Sequence, residues 1–401
     1  MIYDVAIAGT GPAGAATAIR LARAGLRVIA VDRAEFPRDK ACSEYMSPEG
    51  VRHLAALGVL ERVERLGGHP IRGTTVYAPR GSRLTGLFAR AGHAPFRDTG
   101  LSVARRVLDQ ELVQAARGAG AEICDRTTVQ GVLRDQGSIA GLEVRGPDGA
   151  TRRIAARLTV GADGLRSVLA RALGPRRCGP LRRYALVAHL REVAGLGDTA
   201  ELHVAPWGYL GINPLGDGLA NVALVLPEAR MAPARGRARA FFFEMLQQFP
   251  AVAPRVRSGR VVRDVLVSGP FAAWSARVTG PGALLVGDAA DFFDPFTGEG
   301  ICAALRGAEL LEATARSALA DRGPVPAAAL ASYARARRRA FLGKWTVERL
   351  IGYAMLAPAF FDRAVARLER HGLAHTLIGV TGDFVPPRAV LNPVFLSRVM
   401  F

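Results

Sequence analysis

The first 35 residues carry a strand–turn–helix–strand pattern that is typical of dinucleotide-binding folds. The run YDVAIA reads as a β-strand, GTGPAG as a turn, the following Ala-rich segment as a helix ending at Gly25, and the next apolar run as a strand ending at Asp32. In this pattern Gly9 permits a tight turn, Gly11 lets the backbone approach a pyrophosphate, and Gly14 lets helix and strand pack closely. The carboxylate of Asp32 is placed to accept hydrogen bonds from a ribose diol.

A second feature is the acid-rich stretch VGDAADFFDPFTGEGICAAL, Val286 to Leu305, in a chain with a formal net charge of +18. It reads as strand, rigid loop and helix N-terminus. First-turn N–H groups of a helix are unpaired and lie at the positive end of its dipole, so such a junction suits a charged or polar ligand. We expect the acids Asp291, Asp294 and Glu299 either to cap this helix or to pair with arginines.

A third turn of the same kind lies in RLTVGADGLRSVLARAL, where Asp163 and Gly164 stand between a β-branched run and a helix. With these three motifs in order, the chain resembles the flavoprotein monooxygenase and geranylgeranyl-reductase superfamily over roughly residues 1 to 330. The resemblance implies FAD as cofactor. It also implies that Asp288 holds the ribityl chain and that the loop from Pro295 to Gly300 lies against the isoalloxazine.

Further cofactor contacts follow from the resemblance. It implies that Arg105, on a predicted helix, reaches the FAD phosphates, and that Arg33 lies along the adenine; a solvated surface position is the alternative for both. The complete predicted FAD site comprises Gly9, Gly11, Pro12, Ala13, Gly14, Asp32, Arg33, Arg105, Asp163, Gly287, Asp288, Pro295, Gly298, Gly300 and Ile301.

The stretch FPRDKACSEYMSP is similar to a Phe-Pro-Arg-x-Lys-x-Cys and Ser-Pro segment that closes over the flavin in geranylgeranyl reductases. Those enzymes have small residues between Cys and Ser-Pro, whereas this chain has Ser43 to Met46. We interpret Cys42 as a pocket-lining residue, with buried packing as the alternative. Glu44 and Tyr45 are candidates for exchanging protons with a substrate.

The segment AELHVAPWGYLGINPLGDGLANVALVLP alternates apolar and polar residues around a Gly-Asp-Gly turn, which predicts a β-hairpin in an antiparallel sheet. In the superfamily this sheet covers the substrate cavity. Gly211 stands where prenyl reductases and flavin halogenases have Trp. Tyr209 is therefore a candidate site residue, together with Trp207 and His203; simple sheet packing is the alternative for all three.

Composition excludes several other classes. Only Lys40 and Lys344 are lysines, and the arginines are scattered among alanines and glycines, so we expect no nucleic-acid partner. The four cysteines lack paired spacing, which indicates neither a metal site nor a disulfide framework. We expect a reduced, cytoplasmic protein without a signal peptide or transmembrane segment. After residue 330 the sequence predicts helices, with weak contact to a membrane surface as a minor option.

The predicted fold is α/β: a Rossmann-like FAD-binding domain, an inserted antiparallel-sheet substrate domain and a helical C-terminal region. The discontinuous FAD-binding domain takes residues 1–75, 98–178 and 262–330, the substrate domain takes 76–97 and 179–261, and the helical region takes 331–401.

The predicted activity is monooxygenation of an aromatic or polyketide-like small molecule in secondary metabolism, with O2 as co-substrate and NAD(P)H as a transient reductant. The first alternative is a geranylgeranyl-reductase-like double-bond reductase, and the second is a flavin-dependent halogenase. A non-enzymatic alternative is a module of the same fold that binds prenylated proteins.

Overall fold

A computed structural model describes residues 2–257 and 259–400. Within these residues the helices, α1 to α11 in chain order, are Pro12–Arg23, Pro48–Ala56, Leu60–Arg65, Arg105–Gly118, Val168–Leu173, Ala238–Leu246, Gly300–Ala320, Ala331–Ala354, Pro358–Arg370, Ala374–Thr381 and Pro393–Met400. The strands, β1 to β21, are Tyr3–Ala8, Val28–Val31, Tyr45–Met46, His69–Ile71, Gly73–Tyr77, Arg83–Leu87, Gly100–Ser102, Glu122–Cys124, Thr128–Asp135, Ser138–Arg145, Thr151–Gly161, Arg176–Cys178, Arg183–Arg191, Ala200–Ala205, Gly208–Gly216, Leu219–Pro227, Arg260–Ser268, Ala273–Ser275, Thr279–Gly280, Ala283–Leu285 and Asp291–Phe292.

The first sheet is built on a parallel core in the order β20-β11-β1-β2-β8. Residues 5–8 of β1 are completely buried, as expected for a parallel strand covered on both faces. The turns that follow β1, β2, β11 and β20 carry Gly9, Asp32, Asp163 and Gly287. Since carboxyl ends of parallel strands share one edge, the fold collects motifs up to 280 residues apart along the chain at a single crevice.

The second sheet has seven strands in the order β17-β13-β16-β15-β14-β5-β6. The predicted hairpin is confirmed, because β15 and β16 pair in antiparallel register around the turn at Asp217 and Gly218. The sheet departs from the prediction at one point, where β14 runs parallel to β5. The β5–β6 hairpin comes from a distant part of the chain, whereas residues 183–268 supply the other five strands.

The C-terminal region is helical, as predicted, and comprises α8 to α11. Helix α8 packs against α7, and the hydroxyl of Tyr333, which is fully buried, donates a hydrogen bond to the carbonyl of Leu285 in the first sheet (2.8 Å). Helix α10 packs on β6 of the second sheet. The region therefore connects the two sheets. None of the helices within residues 2–257 and 259–400 has the length and apolarity needed to cross a bilayer.

The strand bounds suggest different domain limits from those predicted. Strands β5 and β17 lie wholly in the second sheet, whereas the predicted limits at 75/76 and 261/262 divide them. We propose limits at 72/73 and 268/269, which keep each strand whole. The predicted limits fell short because β5 and β17 are recognisable as parts of this sheet only from their long-range pairing.

Candidate functional site

The glycine-rich turn lies at the start of α1, at one end of a cavity of about 790 Å³ that we call the large cavity. Gly9 has a φ of +91°, which favours glycine, and a Cβ on Gly14 would overlap the carbonyl oxygen of Gly9. Gly11, Pro12 and Ala13 line the large cavity. The open N–H groups of α1 therefore face a space that suits a phosphate group.

Asp32 follows β2 and is held by two backbone N–H groups. Its Oδ2 accepts from the Thr10 N–H at 2.8 Å and its Oδ1 from the Ala34 N–H at 2.9 Å. A carboxylate has about four acceptor positions, so capacity remains for a ligand hydroxyl. Asp32 lines the large cavity, and the exposed Arg33 lies beside it on the same wall.

Three cations surround the glycine-rich turn. Arg105, at the start of α4, binds Asp109 through Nε and an Nη (2.8 and 2.7 Å), and Arg38 pairs with the same carboxylate at 2.8 Å. A Cβ on Gly11 would lie 3.6 Å from Arg38 and 3.9 Å from Arg105. Lys40 has protein groups around it, but its side chain is exposed to solvent where it lines the large cavity. This end of the cavity is therefore built for an anion.

Arg38 and Lys40 were not predicted as cofactor-binding residues, although the sequence contains a signal for them. They follow Asp32 within the FPRDK stretch, which places two cations close after an acid that ends a strand. Burial, together with the charge of Arg105, lowers the pKa of Lys40, and Asp288 opposes that shift. A bound polyphosphate would stabilise the charged form of this lysine further.

The two Gly-Asp turns meet the glycine-rich turn. The Asp163 carboxylate accepts from the Val168 N–H at 2.7 Å and so caps α5. Gly287 has a φ of +62°, and a Cβ there would lie 2.8 Å from the Cβ of Ala13. Burial raises the pKa of Asp288, while Lys40 and Arg105 oppose the rise. The structure thus brings the predicted Asp163, Gly287 and Asp288 into one crevice.

The loop from Pro295 to Gly300 forms another wall of the large cavity, and α7 begins at its end. The Oδ1 atom of Asp294 accepts from the Phe296 N–H (3.0 Å) and the Tyr209 hydroxyl (2.6 Å), while its Oδ2 pairs with Arg183 at 2.6 Å. A Cβ on Gly298 would lie 2.6 Å from the Tyr45 ring. Gly300 and Ile301 open α7 onto the cavity.

Behind this loop lies a cavity of about 50 Å³, which we call the small cavity, between the loop and α8. We expected the loop acids to cap the helix or to pair with arginines. Asp294 pairs with Arg183, as described above, and the carboxylate of Asp291 pairs with Arg337 at 2.6 Å. Glu299 instead accepts from the Ser47 hydroxyl at 3.0 Å. Burial raises the pKa of Glu299 and of Glu348 to about 7, opposed in both cases by the nearby Lys344.

The segment from Cys42 to Tyr45 separates the cofactor end of the large cavity from the second sheet. The amides of Asn213 and Asn221 donate to the carbonyls of Ser43 (2.6 Å) and Cys42 (2.9 Å). Cys42 and Tyr45 line the cavity, and the Tyr45 hydroxyl lies 3.4 Å from that of Thr74. Neither asparagine was predicted, because their role depends on pairing across about 170 residues.

Glu44 differs from its neighbours, since it lies outside the walls of the large cavity and is completely buried. Its carboxylate accepts from the Arg105 N–H (2.8 Å), Asn221 (2.7 Å) and Arg263 (3.3 Å), and lies 2.6 Å from His189 Nε2. The structure therefore gives Glu44 a positioning role in place of the predicted proton exchange with substrate. The reason is that β13, β16 and β17 supply polar partners that draw the side chain away from the cavity.

The far wall of the large cavity is formed by the second sheet and is mainly apolar. Tyr209 lies there with its hydroxyl already bound to Asp294, and a Cβ on Gly211 would meet its first non-neighbouring atom only at 3.9 Å. Of the other two aromatic candidates, His203 binds Glu201 at 2.8 Å and Trp207 packs on Phe249. The apolar lining residues on the sheet are Ala185, Val187, Ala200, Leu202, Ala223, Val225 and Val267, and Phe271, Phe292 and Phe296 pack beside them.

Comparison with known proteins places these features in context. Residues 2–230 match a family described as FAD binding domain. A digeranylgeranylglycerophospholipid reductase from Methanopyrus kandleri is 31% identical over 309 residues, covering 75% of this chain and 74% of the relative. A relative of the same description from Methanosphaerula palustris is 28% identical and covers 85% of this chain and 83% of its own.

Two solved structures share the fold. The myxobacterial chondrochloren halogenase has a TM-score of 0.82 at 22% identity and covers 100% of this chain and 95% of its own. A geranylgeranyl bacteriochlorophyll reductase-like protein from Thermoplasma acidophilum has a TM-score of 0.80 at 21% identity. The match covers 99% of this chain and 98% of that protein. At this identity the likeness shows the fold alone.

Proposed function

The chain belongs to the FAD binding domain family, and from that premise we propose that it is an FAD-dependent reductase of isolated carbon–carbon double bonds in a prenyl-type substrate. The sequence-based prediction of an FAD-dependent oxidoreductase agrees with this family. Within that class, relatives named as reductases support the reductase better than the monooxygenase that the sequence favoured.

The residues at the cofactor end fit FAD. The N–H groups of α1 with Arg38 and Arg105 would hold the pyrophosphate, Asp32 the adenosine ribose, and Asp288 the ribityl chain. FAD supplies hydride chemistry when bound, and NAD(P)H is the proposed source of electrons. The protein itself contributes charged side chains at the cofactor end of the large cavity. At the other end it contributes an enclosed space for the substrate.

The observation that carries the proposal is the apolar far wall of the large cavity. An isolated double bond in a hydrocarbon chain offers no hydrogen-bonding group, so it is recognised by apolar surface and shape. Glu201 is the acid on this wall, and its carboxylate is bound by Arg255 (2.6 and 2.8 Å) and His203. Among the described lining residues, the strands of the second sheet therefore present no uncommitted charge to the cavity.

The burial of Glu44 also bears on the choice between reduction and oxygenation. Glu44 is one of the residues by which the Ser43 to Met46 stretch differs from the small residues of geranylgeranyl reductases, and its carboxylate is committed outside the large cavity. Gly211 leaves open space on the sheet, which accommodates a bulky chain as readily as an aromatic ring. Oxygen transfer to an aromatic substrate stays a prediction from the sequence.

Reduction of a double bond also requires a proton at carbon, and Cys42 is the proposed donor. Its thiol lies on the cavity wall, where its Sγ accepts from the Glu44 N–H at 3.4 Å, and the Arg105 guanidinium is close by. Both groups therefore lie beside the sulfur that would give up the proton. Solvent returns the proton when the product leaves.

The halogenase alternative has less support. Lys40, the lysine nearest to such a role, lies at the cofactor end, where its charge acts on Asp288 and where its Nζ would lie 3.7 Å from a Cβ on Gly164. It therefore lies among the groups around the Gly-Asp turns and not on the sheet that forms the far wall. The chondrochloren halogenase has the same fold at 22% identity. A likeness at this identity gives no support for a shared reaction.

The test is a single turnover without oxygen. Holoprotein is reduced under argon and mixed with a geranylgeranyl-bearing lipid or with the saturated analogue. We expect the flavin absorbance to return only with the unsaturated lipid, and the product to gain two hydrogen atoms for each double bond reduced. If the flavin absorbance returned at equal rates with both lipids, the proposal would be contradicted.

A further inference from the structure

Helix α8 presents an apolar face to solvent. Within residues 2–257 and 259–400, twelve large apolar side chains are strongly exposed, and seven of them lie between 342 and 400. Four belong to α8 and the turn after it, at spacings that place them on one side of the helix. They are Leu342, Leu350, Tyr353 and Leu356, between 47% and 60% exposed.

Exposed arginines lie on the same side of α8. Residues Arg335, Arg338 and Arg339 share the helical arc of the four apolar residues, and we call these seven residues the outer face of α8. Arg335, Arg338 and Arg339 form no ion pair within the described part of the chain. The outer face is therefore both apolar and positively charged.

The acids of this region do not neutralise that charge. Residues 331–401 contain ten arginines and one lysine against four acids. Asp362 binds Ser82, Glu369 accepts from the Thr85 N–H, Asp383 pairs with Arg306, and Glu348 lines the small cavity. All four acidic side chains therefore point toward the body of the protein.

We propose that the outer face of α8 docks the protein on an anionic lipid bilayer. Leucine and tyrosine side chains at this spacing enter the boundary between headgroups and acyl chains, and arginines beside them pair with lipid phosphates. A bilayer satisfies both chemistries at once, whereas a nucleic acid offers no partner for four exposed apolar side chains. The charge of the face selects anionic over neutral lipid.

The position of α8 adds a functional consequence, which rests on the proposed reductase. A Cβ on Gly352, on the inner side of the helix, would lie 3.2 Å from the Phe293 ring, and the Phe293 carbonyl accepts from the Ala272 N–H at 2.9 Å. The adjacent residue, Phe271, lines the apolar end of the large cavity. Docking through α8 would therefore bring the substrate end of that cavity near the lipid.

The experiment measures docking without turnover. Full-length holoprotein is sedimented with vesicles of phosphatidylcholine alone or of phosphatidylcholine with phosphatidylglycerol, at low and high salt. We expect at least about tenfold stronger association with the anionic vesicles, and weakening as salt rises. Equal, negligible association with both vesicles would overturn the proposal.

Variants test the face itself. L342S/L350S/L356S and R335Q/R338Q/R339Q are each expected to lose at least about tenfold in association. The matched controls L66S/F96S/V262S and R145Q/R153Q/R260Q alter equally exposed positions elsewhere and are expected to bind as the parent does. The single variant L356D serves if a triple variant folds poorly, with the far-ultraviolet spectrum and flavin content as checks.

Two outcomes would assign the face to another partner and overturn the proposal. The first is a parent protein that sediments as a dimer in solution and becomes monomeric in L342S/L350S/L356S. The second is binding to duplex DNA, with no vesicle binding, that is lost in R335Q/R338Q/R339Q. Because neither readout depends on the reaction, failure of docking and failure of the proposed reductase are distinguishable.

Discussion

The Oε2 atom of Glu44 lies 2.6 Å from Nε2 of His189, although the two residues are 145 positions apart. Burial alone would raise the pKa of Glu44, but the hydrogen bond from His189 and the charge of Arg263 outweigh it, so the pKa lies below its usual range. Glu44 also accepts from the Arg105 N–H. One carboxylate thus ties the segment beside Cys42 to the second sheet and to α4.

Replacing Glu44 tests this connection. In E44Q the buried His189 and Arg263 lose their counter-charge, and we expect the free energy of unfolding to fall by about 3–5 kcal/mol. Denaturant unfolding of the holoprotein measures it. E228Q, which breaks the exposed pair with Arg182, is the control and is expected to change stability little. Equal effects of the two substitutions would show that the buried contact does not anchor the segment.

Gly14 tests the close approach at the cofactor end. In G14A the added Cβ would overlap the carbonyl oxygen of Gly9, so α1 must shift away from the turn. We expect FAD affinity to fall at least about tenfold, measured by flavin retained on dialysis. G118A lies in α4, where no atom is within 4 Å of the new Cβ, and should retain FAD as the parent does. Full retention in G14A would contradict the assignment.

Asp288 tests the ribityl contact. Removing a charged acceptor costs about 1.5–3 kcal/mol, so D288A is expected to be soluble and to bind FAD roughly 10- to 150-fold more weakly. Titration of the apoprotein with FAD, followed by flavin fluorescence, gives the dissociation constant. D148A, at an exposed turn, is the control. Unchanged affinity in D288A would place the ribityl site elsewhere.

Cys42 tests the proposed proton donor. C42S keeps the shape of the side chain but is a much weaker acid, so we expect normal FAD content and a lower kcat, with little change in KM. C178S changes an exposed cysteine and is the control. If steady-state kinetics in C42S match those of the parent, Cys42 is a packing residue.

The small cavity predicts a pH dependence of stability. Burial raises the pKa of Glu348 from its ordinary 4.5 to about 7, so the folded state holds a proton that the unfolded state releases. The contribution of this group to stability is therefore fully present below about pH 4.5 and is lost as pH rises through 7. Between pH 6 and pH 8 this loss is about 1 kcal/mol. Glu299, whose pKa is also raised to about 7, adds a similar loss, so we expect E348Q to remove about half of the pH dependence.

Unfolding free energies at pH 6 and pH 8 measure this loss. E61Q, at an exposed position, is the control and should keep the parental pH dependence. If E348Q keeps the full parental dependence, Glu348 does not hold the proton, and Glu299 would account for the dependence alone.

The sequence predicted the parts of the site that depend on local backbone geometry. The turn at Gly9 to Gly14 and the turns at Asp163 and Asp288 each have a signature within about ten residues, and the parallel sheet brings them together. Glu44 was misread, because its partners His189, Asn221 and Arg263 come from three strands far along the chain. A buried network formed by long-range strand pairing leaves no local pattern.

The parallel character of the first sheet could be anticipated from its strand–turn–helix pattern, whereas the limits of the second sheet could not. Strand β5 pairs with β14 across more than 120 residues, and only that pairing assigns it to the sheet. The outer face of α8 was equally hidden, because its leucines and arginines suit a buried or an exposed helix until its packing partners are known.

The central claim is that this protein reduces a carbon–carbon double bond instead of transferring oxygen. The most direct measurement is turnover of a geranylgeranyl-bearing lipid with NAD(P)H as electron source, under strict anaerobiosis and under labelled dioxygen, followed by mass spectrometry of the product. We predict that product forms without oxygen and, in the aerobic reaction, carries no label. Product that forms only with oxygen and carries the label would contradict the account and establish a monooxygenase.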